Sequence, residues 1–319
     1  MHKYVFKRLL QLIPVVLGVS LMIFVIMDMA SGDVTAVIAG EDMTNEEIEQ
    51  LREDLGLNDP LLIRYARYMW DLFHGDMGNS YVTKQPVWDM FITRFPNTLA
   101  LATSVTIFAV VISIPLGVFA AVHHGSLGDN ISIVVAMLGL SIPNFWFGLM
   151  LIIVFSLNLG WLPSQGNDAG LLSLILPAIT LGTDKMASLT RITRSSMLDV
   201  IRADYLRTAR SKGVTERLVI YKHALRNALI PIITNVGSMF AGCLGGATLT
   251  ESVFTWPGVG SLIIDSIKSR DTIVVTGCII IKTITISVVL LMVDILYAFV
   301  DPRIKSQYTR KGGKKKNAE

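Results

Sequence analysis

The sequence predicts an all-α protein built to sit in a membrane. Three observations carry this: 52% of the 319 residues are hydrophobic, only 17% are charged, and the apolar residues gather into runs too long for strands or ordinary core helices. A hydrocarbon core needs about 20 predominantly apolar residues per helix. The runs at 9–30, 98–122, 131–157, 229–249 and 273–300 meet that length, and a sixth at 171–189 does so despite Asp184 and Lys185. Six spans are therefore expected, with a helical insertion between the first two.

The first run follows Lys3, Lys7 and Arg8, as a secretory signal would, but its 22 residues exceed the roughly 7 to 15 of a signal core. It reads as an uncleaved first span, residues 1–30.

Residues 31–97 carry twelve Asp or Glu against five Lys or Arg. This segment reads as folded. Thr44 and Glu47 form a capping box, Gly56 supplies a stop, and Asp59 with Pro60 restarts a helix. Leu61, Leu62, Tyr65, Met69 and Leu72 give that helix an apolar stripe, ended by Gly75, and Pro86 opens a third short helix. The insertion either packs on its own spans or meets a soluble partner.

Residues 98–300 form the core. The segment from Asp184 to Arg226 holds ten basic and four acidic residues, so the positive-inside rule places it in the cytoplasm. With six spans the amino terminus, the short loop 123–130, the basic loop 191–228 and the basic tail 301–319, with Arg303, Lys305, Arg310, Lys311 and Lys314 to Lys316, all fall on that side. Dropping the interrupted fourth span would put one basic cluster outside.

Within the basic loop, 199–231 reads as two short helices around Gly213, with Tyr205, Leu206, Ala209 and Arg210 before it and Leu218, Val219 and Tyr221 after it. A basic loop beside a membrane is by itself an orientation signal that meets anionic lipid. A short helix with small residues, held by two spans, is also a shape that fits a groove on another protein.

Three charges fall inside predicted spans: Asp184, Lys185 and Lys282. Each costs about 2.5 to 3.5 kcal/mol on insertion scales, so all should face protein or water. Asp184 and Lys282 lie at depths of roughly 20 and 14 Å at about 1.5 Å per residue. They either pair with each other or line a solute path. Asp28 and Asp294 fall near span ends, where ordinary polar contacts are expected. Ser238, Gly242 and Gly246 make a small-residue face on the fifth span, for packing within the chain or against another subunit.

Several chemistries have no support in the sequence. The phosphate-binding pattern of Gly, four residues, Gly, Lys and Ser or Thr does not occur, and Gly312, Gly313 and Lys314 lack its remainder. His123 and His124 are adjacent, which suits a loop better than a convergent ligand pair. Cys243 and Cys278 lie in apolar runs as small packing residues. No catalytic or metal-binding residues are assigned. A membrane-embedded enzyme would be expected to gather acids or histidines at one membrane face, and a stand-alone channel would need no ATPase.

One stretch is specific. Asp204, Tyr205, Arg207, Thr208, Ala209, Arg210, Lys212 and Gly213, followed by His223, Ala224, Leu225, Arg226 and Asn227, resemble the cytoplasmic loop of permease subunits of bacterial ABC importers, in the dipeptide, oligopeptide and nickel branch. Arg207 and Arg226 stand where many importer permeases carry Glu and Pro, which favours that branch. The resemblance extends along the chain, through Gly32 and Asp33, the cluster Leu55, Gly56, Leu57 and Pro60, then Arg94 and Phe95, Pro143, Glu251 to Gly260 with Trp256, Pro257 and Gly258, and Asp301 with Pro302.

The resemblance implies a type I importer permease in the bacterial cytoplasmic membrane, both termini inside, working by alternating access. It implies that Asp204, Tyr205, Arg207, Thr208, Ala209, Arg210, Lys212, Gly213, His223 and Arg226 dock on an ATPase. The implied partners are a second homologous permease, two ATPase subunits that bind ATP and magnesium, an extracytoplasmic binding protein or lipoprotein, membrane lipid and a peptide substrate, with no nucleic acid and no cofactor on this chain. Nickel chelates and glutathione are the alternative cargoes.

Overall fold

The computed structural model describes residues 2–29, 34–39 and 43–300. Ala30 to Asp33 and the tail 301–319 lie outside the described residues. Among the described residues the chain is helical throughout, with one isolated bridge between Asn79 and Pro86.

Helix α1 (His2–Met29) is followed by the insertion: α2 (Val34–Ala39), α3 (Asn45–Asp54) and α4 (Leu61–Phe73). Local chemistry sets these boundaries. Thr44 accepts from the Glu47 amide while the Glu47 carboxylate accepts from the Thr44 amide, and Gly56 turns the chain at φ +64°. The insertion packs on the chain's own helices. Tyr68 and Met69 are buried with Phe24 and Ile280, and Ser20 meets the Tyr65 hydroxyl at 3.0 Å. Leu62, expected in the buried stripe, is instead exposed, because the buried face is centred on Tyr65, Tyr68 and Met69.

Helix α5 (Val87–Val122) corrects the expectation of a third short helix. Pro86 caps it, and 36 residues run unbroken through Pro96 and Pro115. The run 131–157 is corrected the other way. It divides into α6 (Leu127–Ser141) and α7 (Asn144–Leu151), because Ile142, which precedes Pro143, is extended at ψ 125°. The chain continues as a π-helical turn, Ile152–Asn158.

Helix α8 (Leu171–Ile201) passes through Asp184 and Lys185 and well beyond the expected end at 189. It lies along α5 and meets α6, α7 and α11 (Leu225–Gly246). Hydroxyls in this apolar setting bond their own helix: Thr180 to the Leu176 carbonyl, Thr183 to Ile179 and Thr190 to Met186. The contacts are close. A Cβ on Gly117 would lie 2.5 Å from Thr193, and one on Gly182 would lie 2.6 Å from Phe108.

Helix α9 (Asp204–Ser211) is the only separate short helix beside Gly213. The second one expected there is continuous with the next apolar helix. A turn, α10 (Glu216–Leu218), passes through a π-helical segment, Val219–Ala224, into α11. Two short helices not expected from the sequence follow, α12 (Thr248–Val253) and α13 (Val259–Lys268), before α14 (Thr272–Val300).

Four helical stretches among the described residues are long and apolar enough to cross a membrane: Leu10–Met29, Val87–Val122, Glu216–Gly246 and Thr272–Leu296.

Candidate functional site

Helix α9 stands clear of the body because only one of its side chains is fully buried. Leu206 is 0% exposed and packs with Val118, Leu189, Met197, Val219 and Ala224. Asp204, Tyr205, Arg207, Thr208 and Arg210 point outward, and Ala209 is half-buried. Apolar burial thus anchors the helix through Leu206 and leaves a polar outer face.

Gly213, at φ +79°, reverses the chain after α9, and its amide donates to the Arg210 carbonyl. Arg210 then spans the turn to Glu216 with two bonds of 2.8 and 3.0 Å. The Arg210 guanidinium holds the Glu216 carboxyl below its usual range. Asn227 donates to the Tyr205 hydroxyl at 2.7 Å, fastening α9 to α11. The structure therefore brings 204–213 together with the 216–227 segment. His223 is half-buried beside this seam, while Lys212 and Arg226 are exposed.

A second charged cluster borders the same end of the molecule. Asp129, 1% exposed, accepts from Arg194 at 2.6 and 2.7 Å and from the Gly125 amide at 3.0 Å, and meets His124 at 3.1 Å. Arg194 holds this carboxyl far below its ordinary value of 3.8. The cluster locks the loop between α5 and α6 to α8. Sequence reading placed this loop in the cytoplasm but did not single out Asp129 or Arg194.

Asp184 and Lys282 do not pair in the structure. Asp184 is bridged by its neighbour Lys185 at 2.9 Å, with about a quarter to a third of each side chain exposed. Lys282 instead donates to Thr248 at 3.0 Å. Geometry explains the difference: Lys185 reaches Asp184 within one turn, and α12 brings Thr248 to Lys282. Asp28 is held by Arg64 at 2.9 Å and Asp294 by Arg8 at 3.2 Å, as expected of groups near span ends.

Ser238, Gly242 and Gly246 lie exposed on α11. Packing onto α14 falls to their neighbours, Gly237 against Val293 and Gly245 against Ile286. The three predicted residues thus form a face left exposed among the described residues.

Glu251 entered the sequence reading only as part of the resemblance, with no role assigned to it. It is 0% exposed, accepts from the Thr98 hydroxyl at 2.8 Å and from the Ser261 amide at 3.1 Å, and is crowded by Gly258 and Gly260. Asn97 adds two more links, donating to the Pro257 carbonyl and accepting from the Trp256 indole, both at 2.9 Å. Together these fasten α12 and α13 to α5. The available signal was a lone acid within seven residues of Gly258, in a segment otherwise apolar. Among the described residues no cluster of His, Cys, Asp or Glu is arranged to hold a metal ion.

Comparison with known proteins adds to this geometry. The profile of the family described as binding-protein-dependent transport system inner membrane component matches residues 113–306, and that of the N-terminal segment of such membrane components matches residues 1–102. The oligopeptide transport system permease protein AppB of Bacillus subtilis (strain 168) is 44% identical over 315 residues, covering 96% of this chain and 100% of its own. The glutathione transport system permease protein GsiC of Escherichia coli (strain K12) is 42% identical over 305 residues, covering 96% and 99%. Among solved structures, the inward-facing MetNI methionine ABC transporter in its CY5 native crystal form aligns with 66% of this chain and 96% of its own. Its TM-score is 0.56 at 18% identity, a likeness of fold.

Proposed function

The chain belongs to the family of binding-protein-dependent transport system inner membrane components, and from that membership we propose that it carries di- and oligopeptides across the bacterial cytoplasmic membrane by alternating access. It is a multi-pass, pore-forming permease subunit of an ABC importer, and ATP hydrolysis lies in separate subunits. A partner permease, ATPases and a substrate-binding protein belong to such an importer in general. Our reading assigns it two ATPase subunits, which hold ATP and magnesium, and an extracytoplasmic binding protein or lipoprotein.

The proposed topology has six spans: α1, α5, the broken helix of α6 and α7, α8, α11 and α14. Both termini are cytoplasmic, residues 31–97 form the external insertion, and 191–228 form the coupling loop. Four of the six are the long apolar helices, and the distribution of basic residues supports adding α8 and the broken helix.

One observation carries the coupling assignment: α9 is anchored by a single buried leucine and presents a polar face outward. In this reading the ATPase grips Tyr205, Arg207, Thr208 and Ala209. Movement passes through Leu206 to α8 and through Asn227 to α11. ATP-driven closure then favours one orientation of the pore because the contacts differ between the two states. The Asp184 and Lys185 pair, partly exposed at the middle of α8, is assigned to the solute path, and Ser238, Gly242 and Gly246 to the seam with the partner permease.

The similarity to AppB supports peptide cargo, and the similarity to GsiC supports glutathione, itself a peptide, as the second reading. The test is uptake of radiolabelled di- and oligopeptides and of glutathione by the complex reconstituted with its own binding protein. Peptide uptake that requires ATP is the expected result. Nickel-chelate uptake with no peptide uptake would overturn the cargo assignment.

A further inference from the structure

The insertion and the start of α14 enclose an arginine-lined cavity that solute passage does not explain. Its volume is about 420 Å³, and its described lining includes Asp28, Arg52, Arg64, Tyr81 and Arg270. A smaller cavity of about 140 Å³ adjoins it, sharing Arg64 and Tyr81.

Arg270 is unusual twice over. It turns the chain from α13 into α14 at φ +56°, a left-handed conformation shared among the described residues by eight glycines and by Lys84 and Thr255. The Arg270 side chain is half-buried and has no hydrogen bond or ion pair among the described residues, and the Tyr81 hydroxyl likewise has no hydrogen bond. The other arginines are engaged: Arg64 with Asp28 at 2.9 Å, and Arg52 with Glu49 at 3.3 Å. Among the described lining residues the arginines outnumber the carboxylates three to one.

A guanidinium with a phenol beside it matches the oxygens of a phosphate. The depth of the cavity says where that phosphate comes from. Its walls include Met27 and Asp28 at the end of α1 and Thr272 at the start of α14, so it lies where both apolar helices emerge into the headgroup layer. Just below, α1 exposes Met22 at 62% and Ile26 at 58%, a surface suited to acyl chains.

We propose that Arg270, with Arg64 and Tyr81, binds the headgroup phosphate of an anionic phospholipid at the external face of the protein. Assignment to the outer leaflet rests on the orientation proposed above; the binding itself does not depend on the cargo or on coupling.

The test is native mass spectrometry of the full transporter complex, titrated with phosphatidylglycerol and with phosphatidylcholine, using wild type, Arg270→Gly and Arg270→Lys. Glycine suits the left-handed turn, so Arg270→Gly should fold and assemble normally. Wild type should retain phosphatidylglycerol in preference to phosphatidylcholine. Arg270→Gly should lose at least ten-fold in phosphatidylglycerol affinity, with Arg270→Lys between the two. Displacement of the lipid by millimolar inorganic phosphate would support recognition of the phosphate itself. Equal lipid retention by wild type and Arg270→Gly would overturn the proposal. So would unchanged lipid retention with weakened binding-protein docking, which would make the cavity a protein contact. Because lipid retention is read without transport, failure here leaves the transport reading intact, and failed transport leaves this one testable.

Discussion

The hydroxyl of Thr98 donates to Glu251 at 2.8 Å and accepts from the Val259 amide at 2.8 Å, so one side chain on α5 joins both α12 and α13. Neither bond is exposed to solvent. Removing the Glu251 carboxylate would leave the Thr98 hydroxyl and the Ser261 amide without their acceptor. At about 1.5–3 kcal/mol for each bond to a charged group, Glu251→Ala should cost roughly 3 kcal/mol or more, and Glu251→Gln clearly less. Thermal unfolding of the detergent-purified protein measures this. An unchanged melting temperature in Glu251→Ala would refute the role.

Two glycines should respond oppositely to alanine. A Cβ on Gly258 would lie 2.4 Å from the Glu251 carboxyl carbon, whereas one on Gly242 meets nothing within 4 Å. Gly258→Ala should lower stability by about 1–3 kcal/mol, as overpacking does, and Gly242→Ala should leave it unchanged. Gly242→Leu should separate the chain from its partner permease on size exclusion if the exposed face is the subunit seam.

At the proposed coupling loop, Gly213→Val should cost about 1–2 kcal/mol locally, the penalty for a side chain at positive φ. Membrane insertion should survive, while co-purification of the ATPase falls several-fold; Ala209→Trp should do the same by obstruction. Full ATPase recovery with both variants would remove 204–213 from the interface. Arg210→Ala should matter little to stability, about 0.2–1 kcal/mol, because its pair with Glu216 is largely exposed.

Acid should loosen the loop between α5 and α6. Asp129 is held below its ordinary value of 3.8 by Arg194, so its contribution is fully present above that value and is lost as pH falls below it toward the lowered folded value. The melting-temperature gap between wild type and Asp129→Asn should therefore narrow below pH 4. Arg194→Ala, which strands a buried carboxylate, should cost about 3 kcal/mol at neutral pH.

Lys185 and Lys282 should separate by assay. Lys185→Met should reduce peptide uptake at normal expression, since its charge is partly exposed beside Asp184. Lys282→Met should lower the melting temperature through the lost bond to Thr248, with uptake per folded molecule unchanged. The reverse pattern would exchange their roles.

Much of this architecture could be read from local chemistry. The Thr44 and Glu47 box, the turn at Gly56 and the apolar lengths of α1 and α14 each depend on residues near in sequence. The break at Pro143 was also written locally, but a continuous apolar run hid it. What escaped depends on distant partners. Glu251 acquires its meaning from Thr98, 153 positions away, and Asp129 from Arg194, 65 positions away. The proposed coupling residues stood out by resemblance, whereas their anchoring through Leu206 depended on a core assembled from α5, α8 and α11.

The π-helical turn at Val219–Ala224 joins the turn after Gly213 to α11. Such a turn holds one residue more than α-helical winding requires. Each residue of an α-helix advances the winding by about 100°. Deleting one residue here would let the segment rewind and turn α11 relative to the Leu206 anchor by a comparable angle, so α9 and α11 would meet in a different register. If 204–213 docks on an ATPase as proposed, relatives that lack this residue would present that segment at another angle, a way to sort which permeases and ATPases are interchangeable.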